Sequence, residues 1–362
     1  MAAVPATAQD ESAAAEKRVF DAVRFGVPIQ VQLYASDDAA AKNAADAAFE
    51  EARRLDRVFS DYHPDSEARR LTDGAAAGEA RAASRELYEM LQYAEAARVE
   101  TDGAFDVTLG RLSHLWRKAR RLGQLPPEDE LAAAKSASGP DAIRLQSTGL
   151  VTNPVGSLVV NTPGVRLDFG GVVKGHAVDR MCAILAEADG VDSFLVDAGG
   201  DIRVGGRKRR QWTIAVRPTG DEPLPPLTLS RTAVATSGDA SHATEIEGRR
   251  YSHIIDPATK EPLDSLAQVT VVAETAAAAD ALASALSVMG PGRGLKWLDN
   301  YRRSGRETFG QLVAVRFEED GRAIAGPMWG RLFRRRGEAK AATPDATLSA
   351  ETPASEASNA DG

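Results

Sequence analysis

Cysteine is almost absent from this chain. One cysteine, Cys182, in 362 residues excludes an intramolecular disulfide and any metal site built from paired thiolates. It lies in the apolar-patterned run Val178–Leu185, where it reads as a small core side chain. Positive charge is also in short supply. A net charge of -8 argues against a nucleic-acid surface as the main function. No run reaches the roughly 18 apolar residues that a membrane-spanning helix requires, so no transmembrane segment is expected. The HExxH, GxSxG and EF-hand patterns are missing, as are the P-loop and the Rossmann GxGxxG. What remains is an ordinary globular balance, 43% hydrophobic and 27% charged, with length for one large domain or two smaller ones.

The two ends differ from the middle. Residues 1–17 read as a flexible lead. Within it, MAAVPATAQ resembles either the small-residue end of a secretory signal or an Ala-rich terminus. The first alternative points to a periplasmic protein. Residues 331–362 begin with the basic run Arg331–Arg336 and then lose all aromatics, which predicts a disordered tail. One functional domain is expected over 18–330.

Periodicity divides that domain. Alternation predicts strands over 27–35, 166–171, 192–200, 211–217 and 267–273, with a hairpin over 311–317 and 321–325. Helical spacing predicts helices over 38–59, 85–101, 127–138, 174–189 and 275–289. Helices and strands alternate, but hairpin-like pairs also occur. The fold class is therefore α+β rather than a doubly wound parallel sheet.

Several short segments bear chemistry. Asp168-Phe169-Gly170-Gly171 leads into a helix beginning near Lys174. Glycines before a helix start bring backbone N–H groups close to an anion, and the helix end favours phosphate. A lysine there gains nothing from the helix dipole, so facing a ligand phosphate explains its place better. A tight turn with a solvated lysine is the plain alternative. Asp197-Ala198-Gly199-Gly200-Asp201 is a second strand end that permits close approach. His253 and Asp256, three residues apart before Pro257, suit a general base and its orienter, or a structural histidine. Asp280 and Ser284 share one face of a helix as hard oxygen donors for Mg²⁺. Alternatively, Asp280 serves the helix start and Ser284 bonds back to a carbonyl.

In their order, these segments resemble the FAD:protein FMN transferase, or ApbE, family. The carrying stretches are FSDYHPDSEARRL (59–71), GAFDVTLGRLSHLW (103–116), LDFGGVVKGHAVD (167–179) and LVDAGGDIRVGG (195–206). ATSGD (235–239), HIIDP (253–257) and ADALASALSVMG (279–290) complete the set. The resemblance implies an α+β fold of mixed sheets with packed helices, related to the T-fold, and FAD in a central cleft. It implies Mg²⁺-dependent transfer of FMN from FAD to a Thr or Ser hydroxyl of a target flavoprotein, with AMP released. Hydrolysis of FAD to FMN and AMP, or FAD binding without turnover, are the other expectations. By motif position, Phe25, Tyr62, Ala104, Phe105, Asp106, Asp168, Lys174 and Ile255 would contact the flavin nucleotide. Gly171 (through its carbonyl), Asp280 and Ser284 would hold Mg²⁺. His253 would be catalytic. Three positions depart from the family pattern: Phe25-Gly26-Val27 for Met-Gly-Thr, Ser284 for Thr, and Thr259-Lys260-Glu261-Pro262 for Thr-Gly-x-Pro.

Overall fold

The computed structural model describes residues 16–147, 155–219, 224–238, 244–264, 267–319, 322–326, 328–332 and 345–348. The chain begins with β1 (Glu16–Arg24), β2 (Val27–Ala35), α1 (Asp38–Phe59), α2 (Glu67–Thr72), β3 (Glu79–Ala83) and α3 (Arg85–Glu100). It continues through α4 (Gly110–Leu122), α5 (Glu128–Ser136), β4 (Ile143–Ser147), β5 (Gly156–Val160), α6 (Val173–Glu187), β6 (Val191–Ala198) and β7 (Asp201–Gly206). Then come β8 (Trp212–Val216), β9 (Leu227–Leu229), β10 (Ala233–Gly238), β11 (Thr244–Ile246), β12 (Arg249–Tyr251), β13 (Ile255–Asp256) and β14 (Glu261–Pro262). β15 (Ala267–Ala273), α7 (Ala276–Ser304), β16 (Leu312–Glu319), β17 (Arg322–Ala325) and β18 (Ala346–Leu348) complete the described elements.

An eight-stranded sheet, ordered β1-β2-β6-β7-β10-β15-β16-β17, forms the frame. Its neighbouring strands pair antiparallel. Antiparallel strands with one wet face alternate apolar and polar residues, but β6 reads SFLV without a break. The reason is that both faces are covered. Phe194 and Val196 pack with Val178, Met181 and Leu185 of α6 and with the alanines of α1. Leu195, between them, faces Trp212, Ile214, Leu227 and Leu229 of the small sheet β18-β8-β9.

The helices sit where their caps and apolar stripes put them. Asp37 accepts from the Ala40 N–H at 2.8 Å and starts α1, whose Ala41, Ala44, Ala48, Ala52 and Leu55 are buried. Small residues on that stripe let α1 lie close on α6. Helix α6 in turn meets α7 at Gly175. A Cβ at this position would fall 2.3 Å from the Ala276 carbonyl oxygen. The junction is then pinned. Both carboxylate oxygens of Asp179 accept from the first α7 amides, Ala276 and Ala277, each at 2.9 Å.

Four expectations need correction. Residues 166–171 form no strand. Only Arg166 bridges, to Leu109, and Asp168 donates its N–H to the Val107 carbonyl before the chain turns. The neighbouring backbone is a loop, so no ladder can propagate. Residues 16–17 belong to β1 rather than to a flexible lead. The disorder expected after about Lys340 fails at Ala346–Leu348, which pair in parallel with β8. Asp345 secures that strand by accepting the Thr213 N–H at 2.8 Å. The helix over 275–289 continues to Ser304 after a break at Gly290 (φ 68°), followed by Pro291. Helix α4 is an addition to the elements expected from the sequence.

The crowding at Gly175 yields a prediction. Gly175→Ala forces α6 away from α7 and lowers stability by about 1–3 kcal/mol, the usual cost of overpacking. A urea titration should show a lower midpoint at unchanged slope. An unaltered midpoint would mean that the junction has room to spare.

Candidate active site

A cleft of about 710 Å³ opens at one end of the large sheet. It gathers Phe25, Tyr62, Ala104, Phe105, Asp106, Asp168, Gly171, Lys174, His253, Ile255, Asp280 and Ser284. Of the candidate catalytic, nucleotide-contacting and cation-holding residues, Asp256 alone is outside its lining, and of Asp197–Asp201 only Asp201 reaches it. The Asp256 carboxylate accepts the Ala258 N–H at 2.9 Å and closes its own turn. Proline at 257 sets that turn.

The floor of the cleft is the α6–α7 junction. Asp280, only 4% exposed, accepts the Gly175 N–H at 3.1 Å. The Lys174 ammonium lies 3.6 Å from Asp280 and 3.3 Å from Asp201, and donates to the Gly170 carbonyl at 3.0 Å. A buried carboxylate survives only with such partners. Ser284 is one turn beyond Asp280 on α7. Gly171 passes close by: a Cβ there would stand 2.9 Å from the Ser284 hydroxyl and 3.3 Å from the Phe105 ring. The missing side chain therefore lets the backbone of residue 171 reach the hydroxyl. One carboxylate, one hydroxyl and one nearby backbone segment form a hard-oxygen donor set suited to Mg²⁺ completed by water and phosphate oxygens. Among the described residues, no group of three His, Cys, Asp or Glu side chains is placed to hold a metal.

One wall is aromatic and cationic. Tyr62 is 65% exposed, and the Arg117 guanidinium sits 4.4 Å from its ring centroid. Arg117 also binds the carboxylate of buried Asp61. Burial, with Asp168 nearby, pushes the Asp61 carboxyl up, and Arg117 pulls it down. Opposite, Phe25 and Gly26 make the two-residue turn between Arg24 and Val27, with φ of 54° and 74°. Turns of this kind favour Asn or Gly, so a Phe held there is an outlier. Its ring lines the cleft and packs against two core clusters.

The remaining wall is a loop-and-turn layer. Asp106 accepts from the Thr108 N–H at 2.8 Å and its hydroxyl at 2.7 Å, which fixes the turn presenting Ala104 and Phe105. Burial nonetheless raises the Asp106 carboxyl. His253 is exposed at the rim, while Ile255 behind it is buried. Lys260, at φ 60°, takes up a conformation that suits glycine. Its ammonium donates to the carbonyls of Lys135 and Ser138 at 2.6 and 2.7 Å, capping α5. Thr236 and Ser237 of β10, within the ATSGD segment but given no role from sequence, also line the cleft, as does Arg117 of α4, which sequence reasoning passed over. The absence of acid along α4 was the available signal for Arg117.

Residues 25–307 match the ApbE family. The FAD:protein FMN transferase of Chlamydia muridarum is 30% identical over 281 residues, covering 75% of this chain and 84% of that protein. That of Vibrio cholerae is 32% identical over 245 residues, 66% of this chain and 70% of its own. The ApbE protein of Thermotoga maritima, known from a crystal structure, superposes with a TM-score of 0.75 at 27% identity, over 88% of this chain and all (100%) of its own. The fold is that of the ApbE structures. The chain belongs to the ApbE family.

The Arg117–Asp61 pair predicts a pH effect. Removing one partner of a buried pair costs about 3 kcal/mol, so Arg117→Met should lower stability by that order near neutral pH. Asp61 then sits higher still above its unfolded value. Such a carboxyl costs stability as pH rises past the unfolded value, because only the unfolded chain ionises freely. The variant should therefore recover part of its loss as pH falls toward the unfolded carboxylate value. Parallel pH-stability curves for variant and wild type would contradict this.

Proposed function

We propose that this chain transfers the FMN half of FAD to a Thr or Ser hydroxyl of a target flavoprotein, with Mg²⁺ required and AMP released. The observation that supports it best is the clustering of Lys174, Asp280, Ser284 and Gly171 on the cleft floor beneath an exposed histidine. The acceptor oxygen attacks the phosphorus on the FMN side of the pyrophosphate. A new P–O bond forms, the bridging P–O bond breaks, and AMP leaves with the bridging oxygen. The hydroxyl proton passes to the His253 imidazole.

Phosphoryl chemistry of this kind needs positioning and charge neutralisation more than covalent help. Asp280, Ser284 and the Gly171 carbonyl would hold Mg²⁺, whose contribution is to neutralise charge on the pyrophosphate. Lys174 adds a fixed cation beside them, and the α6 start adds backbone dipoles. Tyr62, backed by Arg117, offers a ring face for stacking a flavin or adenine ring. Phe25 closes the opposite side. The Ser252–His253 edge leaves His253 open toward an incoming protein. A target met in the periplasm goes with this reading, on the signal-like stretch 1–9, which lies outside the described residues.

The test is mass spectrometry of a flavoprotein acceptor domain incubated with the chain, FAD and Mg²⁺, with AMP followed in parallel. An acceptor heavier by one FMN, with matching AMP, is expected. His253→Ala should keep FAD affinity and slow transfer roughly 100- to 10,000-fold, the range for loss of a general base. AMP without a modified acceptor would replace transfer by hydrolysis. Bound FAD with neither product would make this a flavin-binding protein.

A further inference from the structure

The mouth of the cleft carries charge that the transfer chemistry does not use. Between Asp106 and Glu128 the sequence has no acidic residue, yet it contains Arg111, Arg117, Lys118, Arg120 and Arg121. In a chain of net charge -8 this is a local reversal of sign. Its folding as α4 follows from Leu112, Leu115, Trp116 and Ala119, which recur at helical spacing and are buried.

That stripe sorts the cations into two sets. Arg117 and Arg120 are turned inward. The first binds Asp61 and covers Tyr62, and the second donates to the Ser252 carbonyl at 3.1 Å. Lys118 and Arg121 lie on the exposed side and still line the cleft. His114, one turn before Lys118, is exposed beside them. Burial pushes its imidazole down, and Arg166, Arg117, Arg69 and Lys118 push it further the same way. The mouth therefore has a positive field of its own.

Solvated cations on a convex surface call for no partner. Lys118 and Arg121 instead border a concave opening, where low-dielectric walls focus the field. The Arg120–Ser252 bond ties this helix to the residue next to His253. We propose that Lys118 and Arg121 form a docking rim for an acidic segment of the acceptor protein, the segment that brings the hydroxyl to His253. The proposal rests on the transferase reading above. The FAD phosphates already have Lys174 and the α6 start, and a flat anionic membrane does not fit a concave mouth. An acidic loop fits both the shape and the sign.

The test reads binding, with no turnover needed. A labelled peptide with a central Thr flanked by aspartates is compared with one bearing asparagines at the same places. Fluorescence anisotropy is recorded on the full chain with FAD and Mg²⁺. The acidic peptide should bind roughly tenfold more tightly at low salt, as a few charge pairs of modest strength would give. High salt should erase the difference. The double variant Lys118→Ser/Arg121→Ser should erase it too, with FAD affinity unchanged. Arg302→Ser/Arg303→Ser, at the exposed end of α7, should leave it intact.

Equal binding of the two peptides by wild type would overturn the proposal, as would a preference retained by the Lys118/Arg121 variant. Loss of FAD affinity in that variant would assign the cations to the nucleotide instead. Anionic vesicles bound through Lys118 and Arg121, with no peptide preference, would assign them to a membrane. A chain that fails to transfer FMN can still pass or fail this test, so the two readings fall separately.

Discussion

The close approach of α6 to the start of α7 is the constraint on which the cleft depends. Glycine at 175 lets the backbone of one helix touch the Ala276 carbonyl of the other. Asp179 then takes two α7 amides, and Thr275 caps the same end by accepting the Ala278 N–H at 3.3 Å. With the junction fixed, Asp280 cannot avoid burial. It is compensated by the Gly175 amide and the Lys174 ammonium. The Asp280 carboxylate is thus held in place by the same contacts that hold two helices together. The large sheet contributes from beneath: β7 delivers Asp201 to the other side of Lys174, and β10 delivers Thr236 and Ser237 to the cleft.

Two of the departures from the family pattern have a structural account. Lys260 stands at positive φ, and its ammonium offsets that strain by capping α5 through two carbonyls. Neighbouring Glu261 pairs with Lys135 of the same helix. The turn that carries His253 is therefore anchored to α5 by side chains. Phe25 also stands at positive φ, and its ring bridges two core clusters while facing the cleft. Ser284 keeps the hydroxyl of the more usual threonine and sits against the bare backbone of Gly171.

Much of this was legible in the sequence because local and global signals agree. Strand β2 and helix α1 have their predicted bounds: alternation marks one, and the Asp37 cap and alanine stripe mark the other. The cleft residues were legible through motif order, and all but Asp256 come together. Two of the misses share a physical cause, dependence on a partner distant in sequence. Leu167–Gly171 looks like a strand until one sees that only a loop lies beside it. Ala346–Leu348 has tail composition, but β8 offers it an open edge. Helix α4 was hidden by its charge, because its apolar stripe is narrow and its cations dominate any average.

The central claim is that Asp280, held at the helix junction, forms the cation-dependent part of the nucleotide site. Calorimetric titration of FAD into wild type and Asp280→Asn, each with and without Mg²⁺, tests it most directly. The account predicts that Mg²⁺ tightens FAD binding to wild type and has no effect on the variant, with both proteins folded. Equal Mg²⁺ enhancement in the two proteins would contradict it and move the cation site elsewhere in the cleft.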